Sequence, residues 1–194
     1  MHPELEAFAA SIADCTGCGL CEGRKQVVFG TGNPHAKIML VGEGPGANED
    51  KQGEPFVGQA GMLLDKMLIA AGFSRKSNVY IANVVKCRPP QNRDPAAEEI
   101  SACLDHLREQ FRIIRPQIVV CLGRIAAQTL INPNFRVTRE HGQFTQKNGV
   151  WFMGTYHPAA LLRYPANKVD SFADLLQLRD LVEELGLCEL DYGG

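Results

Sequence analysis

The chain has 194 residues, of which 45% are hydrophobic and 22% charged, and its formal net charge is −2. This length suits a single domain with one sizeable core, and the charge balance gives no global sign of a nucleic-acid binder. No apolar run reaches the roughly eighteen residues that a membrane-spanning helix needs. The acidic N-terminus carries no apolar signal segment, so a cytoplasmic location is expected.

The first predicted helix covers residues 4–14, and the run Cys15-Thr16-Gly17-Cys18-Gly19-Leu20-Cys21 follows it directly. The chain has seven cysteines, and an odd count favours metal ligands or buried thiols over a disulfide framework. Two thiolates separated by two residues can bind one metal centre, because the turn between them brings both sulfurs to one side. The run predicts a metal site without deciding which metal, or which of the three thiols, takes part.

A short strand is expected at residues 27–29, followed by a buried strand at residues 38–41. The second strand ends in the turn Gly42-Glu43-Gly44-Pro45-Gly46, whose glycines leave backbone N–H groups uncovered for a ligand. This turn lacks both the Gly-Lys-Ser/Thr of a P-loop and the spacing of the dinucleotide fingerprint. Glu43 is its only carboxylate, at the edge of the sheet where open α/β folds bind ligands.

The next helix is predicted over residues 58–72, and Phe56 stands just before it. That ring either anchors the helix to the core or offers a flat face to a planar ligand. A strongly β-prone strand follows at residues 79–85, and Asn83 interrupts its apolar run near the carboxyl end. A buried asparagine must satisfy both its carbonyl and its amide group, so Asn83 is either a structural cross-link or a reader of hydrogen-bonding edges.

The rest of the chain continues the alternation of helices and strands. A helix is predicted to start at Asp94-Pro95, with Asp94 as its cap. The remaining predicted elements are a strand at 118–123, a helix at 124–131, a strand at 150–156 and a helix at 170–185. This order predicts an α/β fold, a single domain with a parallel central sheet.

Glu43, Asn83 and His157 each stand at the carboxyl end of a predicted strand, with Phe56 on a connecting loop. Carboxyl ends of parallel strands meet at one edge of the sheet, so these side chains are expected to face one another. Together they offer a carboxylate, an amide, an imidazole and a flat apolar ring. This combination predicts a pocket for a planar ring with hydrogen-bonding edges.

Four motifs closely resemble the family-four uracil-DNA glycosylases, the iron–sulfur, thermostable type. The motifs are Gly42-Glu43-Gly44-Pro45-Gly46, Glu49-Asp50, Pro55-Phe56-Val57-Gly58 and His157-Pro158-Ala159-Ala160-Leu161-Leu162-Arg163. The resemblance implies a single domain over residues 1–194, built on a central four-stranded parallel sheet flanked by helices. It also implies a monomeric DNA repair enzyme that excises uracil from single- or double-stranded DNA and leaves an abasic site.

The resemblance implies a [4Fe–4S] cluster, which the family holds on a Cys-x-x-Cys pair and a distant, widely spaced pair. The matching positions are Cys15, Cys18, Cys87 and Cys103. Cys21 is then a spare thiol beside the cluster, although spacing alone allows it to exchange with Cys18. A zinc site on the same four cysteines is the alternative, and the wide second spacing departs from the usual short zinc pair.

The resemblance also assigns roles around the extruded base. Phe56 stacks on the uracil ring, Asn83 reads its O4 and N3–H edge, and His157 donates a hydrogen bond to O2. Glu43 orients or deprotonates the attacking water, or stabilises the developing sugar cation. Gly42 and Gly44 line the base, Leu161 wedges into the base stack, and Arg163 and the backbone around Ala159 contact phosphate.

One departure from the wider group concerns the turn itself. Family-one enzymes carry an aspartate and a tyrosine where this chain has Gly44 and Gly46, so another residue must reject thymine. Covalent uracil-trapping relatives carry a basic insertion with a histidine after the second strand, and residues 87–93 contain none, which predicts turnover. A non-turnover or trapping relative and an iron–sulfur electron carrier, suggested by the run Cys15 to Cys21, are the competing interpretations.

Overall fold

The computed structural model describes residues 2–193 and is built around one six-stranded sheet with the order β1-β3-β2-β4-β6-β5. The strands are β1 (Thr31–Gly32), β2 (Ile38–Gly42), β3 (Val79–Asn83), β4 (Ile118–Leu122), β5 (Phe144–Lys147) and β6 (Val150–Thr155). The four inner strands run parallel, while β1 and β5 pair antiparallel at the two edges.

Helices cover both faces of this sheet. They are α1 (Pro3–Ser11), α2 (Ala47–Gln52), α3 (Gln59–Ala70), α4 (Ala97–Ile114), α5 (Arg124–Leu130), α6 (Val137–Glu140), α7 (Pro158–Arg163) and α8 (Lys168–Leu185). Short 3-10 turns lie at Gly19–Cys21, Pro90–Asn92 and Pro165–Asn167. Within residues 2–193, no helix combines the length and apolarity needed to cross a membrane.

Every residue of β2, β3 and β4 is buried, as expected for parallel strands covered on both faces. One core layer packs the sheet against α1, α4 and α5, with Leu107 of α4 at its centre. The opposite layer packs it against α3 and α8 through Leu68 and Leu178. Two full hydrophobic layers thus fix the sheet, and the strand ends are held in a rigid frame.

The structure confirms the parallel four-stranded core and adds two edge strands that the sequence analysis missed. The strand predicted at residues 27–29 is wrong: Val28 donates a single backbone hydrogen bond to Lys86, and pairing with β3 occurs at β1 instead. The predicted start of α4 is also wrong. The helix begins at Ala97, because Glu99 in its first turn accepts the Ala96 N–H at 2.7 Å, while Asp94 forms an exposed ion pair with Arg124.

The strand register decides what meets at the carboxyl edge of the sheet. Gly42 of β2 pairs with Asn83 of β3, which sets the glycine turn directly beside that asparagine. On the other side of β2, Leu122 of β4 pairs with Thr155 of β6, two residues before His157. The turn after β2 and the last residues of β3 and β6 therefore border one crevice, as in other open parallel sheets.

Candidate active site

A cleft of about 720 Å³ opens at the carboxyl ends of the parallel strands. Seven of the predicted site residues line it: Glu43, Gly44, Phe56, Asn83, His157, Ala159 and Arg163. Gly42 lies beneath it, in contact with two of those side chains. The volume suits a small planar ligand together with part of the chain that carries it.

Asn83 has an unsatisfied acceptor at the floor of this cleft. Its Oδ1 is buried and has no hydrogen-bond partner in the described part of the chain. A methyl group added at Gly42 would lie 2.4 Å from this oxygen and 2.6 Å from Cζ of Phe56. Only glycine leaves the amide and the ring room to converge, and a buried acceptor without a partner indicates a ligand that donates to it.

Phe56 faces the same floor from the loop before α3. Its ring centroid lies 5.6 Å from that of His157 at an interplanar angle of 32°. The loop is fastened by Glu49, whose Oε1 accepts hydrogen bonds from the N–H groups of Val57 and Gly58, both at 3.0 Å. Glu49 therefore connects the start of α2 to the loop that carries the aromatic ring.

His157 is the N-terminal cap of α7, and this role fixes its tautomer. Its Nδ1 accepts the Ala159 N–H at 3.1 Å, so the neutral ring carries its proton on Nε2. The pKa of His157 is lowered to about 4, chiefly by burial and also by the positive charge of Arg163, against the opposing effect of Glu49. At neutral pH the ring is an uncharged donor.

The pKa of Glu43 is shifted upward, in contrast to that of His157. The pKa of this carboxyl group is raised to about 7, chiefly by burial and also by the carboxylate of Asp94, while Arg124 opposes the rise. A carboxyl group whose pKa lies near the working pH can accept a proton and release it again. The glycine turn thus presents a group suited to general-base catalysis.

Glu49 is a cleft residue to which the sequence analysis gave no role. A methyl group added at Gly46 would lie 2.7 Å from Oε2 of Glu49, so its carboxylate fills the space that a side chain at position 46 would occupy. The signal was present, because Glu49 belongs to the Glu49-Asp50 motif. Its position over Gly46, however, depends on how α2 turns back after the glycines.

The residues predicted to contact DNA do not all face the cleft. Leu161 is only 1% exposed and packs into the interior, while the neighbouring Leu162 is 41% and Tyr164 is 65% exposed. In this conformation Leu161 cannot enter a base stack. Arg163 lines the cleft and no ion pair involves it among the residues described, whereas the N–H of Ala159 is already donated to His157.

The four predicted metal ligands meet at a second, smaller cavity. It is lined by Cys15, Cys18, Cys21, Cys87 and Cys103, together with Arg24, Lys86 and His106. All seven cysteines are free of disulfides. No three histidine, cysteine, aspartate or glutamate side chains in residues 2–193 form a group that could hold a single ion.

Nitrogen donors surround the sulfurs of this cavity. Cys87 Sγ accepts from the Arg24 guanidinium at 3.4 Å, and Cys103 Sγ accepts from the Lys86 backbone N–H at 3.2 Å. Cys15 Sγ lies 3.4 Å from the Gly17 N–H and 3.3 Å from Nε2 of His106. Hydrogen bonds of this kind support thiolates bound to a metal centre, so the donor set fits an iron–sulfur cluster.

The fold and the cleft define an α/β protein with an unpartnered amide oxygen and an aromatic ring in a cleft at the carboxyl edge of a parallel sheet. Comparison with known families identifies which one. The family model described as "Uracil DNA glycosylase superfamily" matches residues 29–178, and the chain belongs to this family.

Its similarity to curated members extends over most of the chain. It is 41% identical over 185 residues to a type-4 uracil-DNA glycosylase of Archaeoglobus fulgidus, covering 91% of this chain and 92% of that protein. A type-4 uracil-DNA glycosylase of Thermotoga maritima is 42% identical over 167 residues, covering 85% and 86%. The type-4 uracil-DNA glycosylase of Sulfurisphaera tokodaii is 40% identical over 197 residues, covering 97% and 89%.

Proposed function

We propose that this chain is a uracil-DNA glycosylase that hydrolyses the N-glycosidic bond of uracil in DNA and leaves an abasic site for base excision repair. Curated relatives of the same superfamily, similar over most of the chain, carry that name. The observation that carries the proposal is the buried, unpartnered Oδ1 of Asn83 beside the ring of Phe56. Because a base stacked in a duplex cannot reach this cleft, the nucleotide must first be extruded.

Asn83 gives the cleft its choice of base. Its Oδ1 accepts the N3–H of uracil, while its amide nitrogen donates to O4. Cytosine presents an acceptor at N3 and a donor at the exocyclic amine, so both pairings would be reversed. A site whose buried polar group is left unpaired by the wrong ring discriminates strongly, and the stacked face of Phe56 adds affinity without selectivity.

His157 and Glu43 act on opposite ends of the bond that breaks. Water attacks C1′ of the sugar and passes a proton to the Glu43 carboxylate, while the electron pair of the C1′–N1 bond moves onto the departing uracil. The Nε2–H of neutral His157 donates to O2, where negative charge develops. A donor fixed in its tautomer by the Ala159 N–H does this without reorganising during the reaction.

Glu49 supplies the missing means of rejecting thymine. Its carboxylate fills the space above Gly46, the position where family-one enzymes carry a tyrosine. A methyl group on C5 of the ring would meet this carboxylate. Glu49→Ser should let thymine in a T:G mismatch be released at a measurable rate. Absence of thymine release in a variant that still excises uracil would remove Glu49 from this role.

DNA contact follows from the rim of the cleft. Arg163 offers a positive charge to a phosphate, and Leu162 with Tyr164 forms the exposed apolar surface next to it. We therefore assign insertion into the base stack to the exposed Leu162 and not to the buried Leu161. The phosphate contact expected from the backbone around Ala159 is assigned to the Arg163 side chain, because the N–H groups of residues 159–161 all donate to His157.

We also propose that Cys15, Cys18, Cys87 and Cys103 hold a [4Fe–4S] cluster, with Cys21 as a fifth thiol at the same cavity. Bound there, the cluster would supply a covalent cross-link between the N-terminal segment, the loop after β3 and α4. Purified protein should be yellow-brown. A colourless protein that contains zinc would establish the alternative metal on the same cysteines.

We propose a cytoplasmic location, where disulfides are rare and cysteines stay available to bind a metal. The cleft is complete within one chain, which supports action as a monomer on uracil-containing DNA. Binding should weaken as salt rises, because the contacts at the rim are with phosphate.

One assay separates the glycosylase from the two alternatives, a non-turnover or covalent trapping relative and an iron–sulfur electron carrier. The protein is incubated with an oligonucleotide that contains one uracil, in single- and double-stranded form, and abasic sites are then cleaved with hot alkali. Strand cleavage at the uracil is expected, and the same strand with cytosine is the control. Absence of cleavage contradicts the glycosylase, and a protein–DNA band that survives denaturation indicates a covalent trapping protein instead.

A further inference from the structure

Phe56 adopts a backbone conformation that an aromatic residue rarely takes. Its φ of 55° lies in the left-handed region, where a bulky side chain is strained. Such residues persist when the surrounding contacts over-determine them, and they concentrate at binding sites. The strain therefore raises the question of which groups hold Phe56 in place.

Arg75, in the turn between α3 and β3, lies outside the residues that line the cleft. Its Nη1 donates to the carbonyl oxygen of Pro55 and its Nη2 to that of Phe56, both at 2.9 Å. The guanidinium is itself held by Asp65, which lies 2.9 Å from Nε and 2.8 Å from Nη2. The Arg75 side chain is only 14% exposed, so these hydrogen bonds are shielded from water.

The opposite sides of the same loop are closed as well. A methyl group added at Gly61 of α3 would lie 1.9 Å from the carbonyl oxygen of Phe56, so the helix backbone abuts this peptide directly. Glu49 fastens the two following N–H groups from the side of the cleft. Arg75 thus completes a clamp around one strained residue, with its donors on the carbonyl oxygens.

We propose that Arg75 is a positioning residue for uracil excision, which sets the height and tilt of the Phe56 ring from outside the cleft. The guanidinium is suited to this task, because its planar fork can bind two carbonyl oxygens and a carboxylate at once. Lysine offers a point charge and cannot reproduce that geometry. The inference rests on the stacking role proposed for Phe56.

The test begins with Arg75→Lys, which keeps the charge and removes the fork. We expect kcat/KM on uracil-containing DNA to fall about tenfold, since a small misplacement of a substrate-positioning group is enough for such a loss. Inhibition by free uracil should weaken as well. Arg179→Lys is the matched control, because Arg179 forms an exposed ion pair with Asp180 on α8 and should leave both values unchanged.

A double-mutant cycle with Phe56→Ala distinguishes positioning from general support of the fold. If Arg75 acts through the ring, Arg75→Lys should lower kcat/KM by less than about twofold once Phe56 is alanine. An equal loss in both backgrounds would overturn the proposal. So would a Phe56→Ala variant with full activity, which removes the stacking role while leaving the glycosylase assignment intact.

Asp65→Asn provides the same test if Arg75→Lys does not fold. It keeps the arginine and weakens its anchor, and we expect a loss of about two- to threefold that again disappears with Phe56→Ala. Full activity of Asp65→Asn, or an equal loss in the Phe56→Ala background, would contradict the clamp. Wild-type protein that cleaves no uracil strand would instead contradict the proposed function itself.

Discussion

In the cleft, Asn83 Oδ1 is buried and has no partner among the described residues. The pKa of Glu43 is raised and that of His157 is lowered, and both shifts favour the uncharged form. Around the cysteine cavity, nitrogen donors already reach the sulfurs of Cys15, Cys87 and Cys103. A site whose polar groups are unpaired in the free protein suits a ligand that binds and dissociates. A site whose ligand atoms are supported in advance suits a group that stays with the fold.

This comparison predicts two classes of variant. Substitutions in the cleft should act mainly on rate or specificity, because a transiently bound base contributes nothing to the stability of the free protein. Substitutions at the cysteine cavity should change stability and colour, because a bound cluster would link three segments of the chain.

The largest expected effect is that of His157→Asn. Loss of the donor to O2 should lower kcat by about 10²- to 10³-fold, as for removal of one oxyanion-stabilising donor. The measurement is single-turnover excision, with the thermal midpoint as control. A rate within a few-fold of wild type would show that His157 does not stabilise the leaving uracil.

Asn83→Asp should alter specificity as well as rate. A carboxylate cannot donate to O4 of uracil, whereas its protonated form could pair with N3 of cytosine. We expect uracil excision to fall about 100-fold and cytosine release to become detectable by the alkali assay. Unchanged discrimination between the two bases would place the reading group elsewhere.

Cys87→Ser tests whether the cysteine cavity differs from the cleft in supporting the stability of the fold. Loss of one ligand should remove the visible absorbance and lower the thermal midpoint by roughly 6–12 °C, which corresponds to about 3 kcal/mol in a chain of this size. Cys188→Ser is the matched control, because Cys188 does not line the cavity. A stable, coloured Cys87→Ser protein would exclude Cys87 as a ligand.

The smallest effect is the pH dependence that Glu43 imposes. With a pKa of about 7, the base is protonated at lower pH, so kcat/KM should fall as pH decreases below 7 and level off above it. Glu43→Gln should abolish this slope. The same raised pKa means that ionised Glu43 destabilises the fold, so Glu43→Gln should stabilise the protein more at pH 8 than at pH 5.

A profile that keeps its slope in Glu43→Gln would assign the titration to another group. Asp94→Asn offers a further control, because the carboxylate of Asp94 helps to raise the pKa of Glu43. Its removal should shift the slope of the wild-type profile to lower pH. An unmoved slope would contradict the assignment to Glu43.

Sequence by itself determined the four parallel strands and the polar residue at the end of three of them. Short continuous apolar runs between helical segments identify the strands, and parallel strands have to bring their carboxyl ends to one edge. Glu43, Asn83 and His157 could therefore be expected to meet before any coordinates were known. The cysteines around the second cavity followed from spacing and from the family resemblance.

Tertiary structure decided what depends on contacts between distant segments. The rotation of the short helix α7 buries Leu161 and exposes Leu162, and two adjacent leucines give no sequence signal for that choice. The turn of α2 carries Glu49 over Gly46, and the packing of Gly61 sets the Phe56 carbonyl within reach of Arg75. These positions depend on side-chain packing between many residues, so local sequence patterns do not predict them.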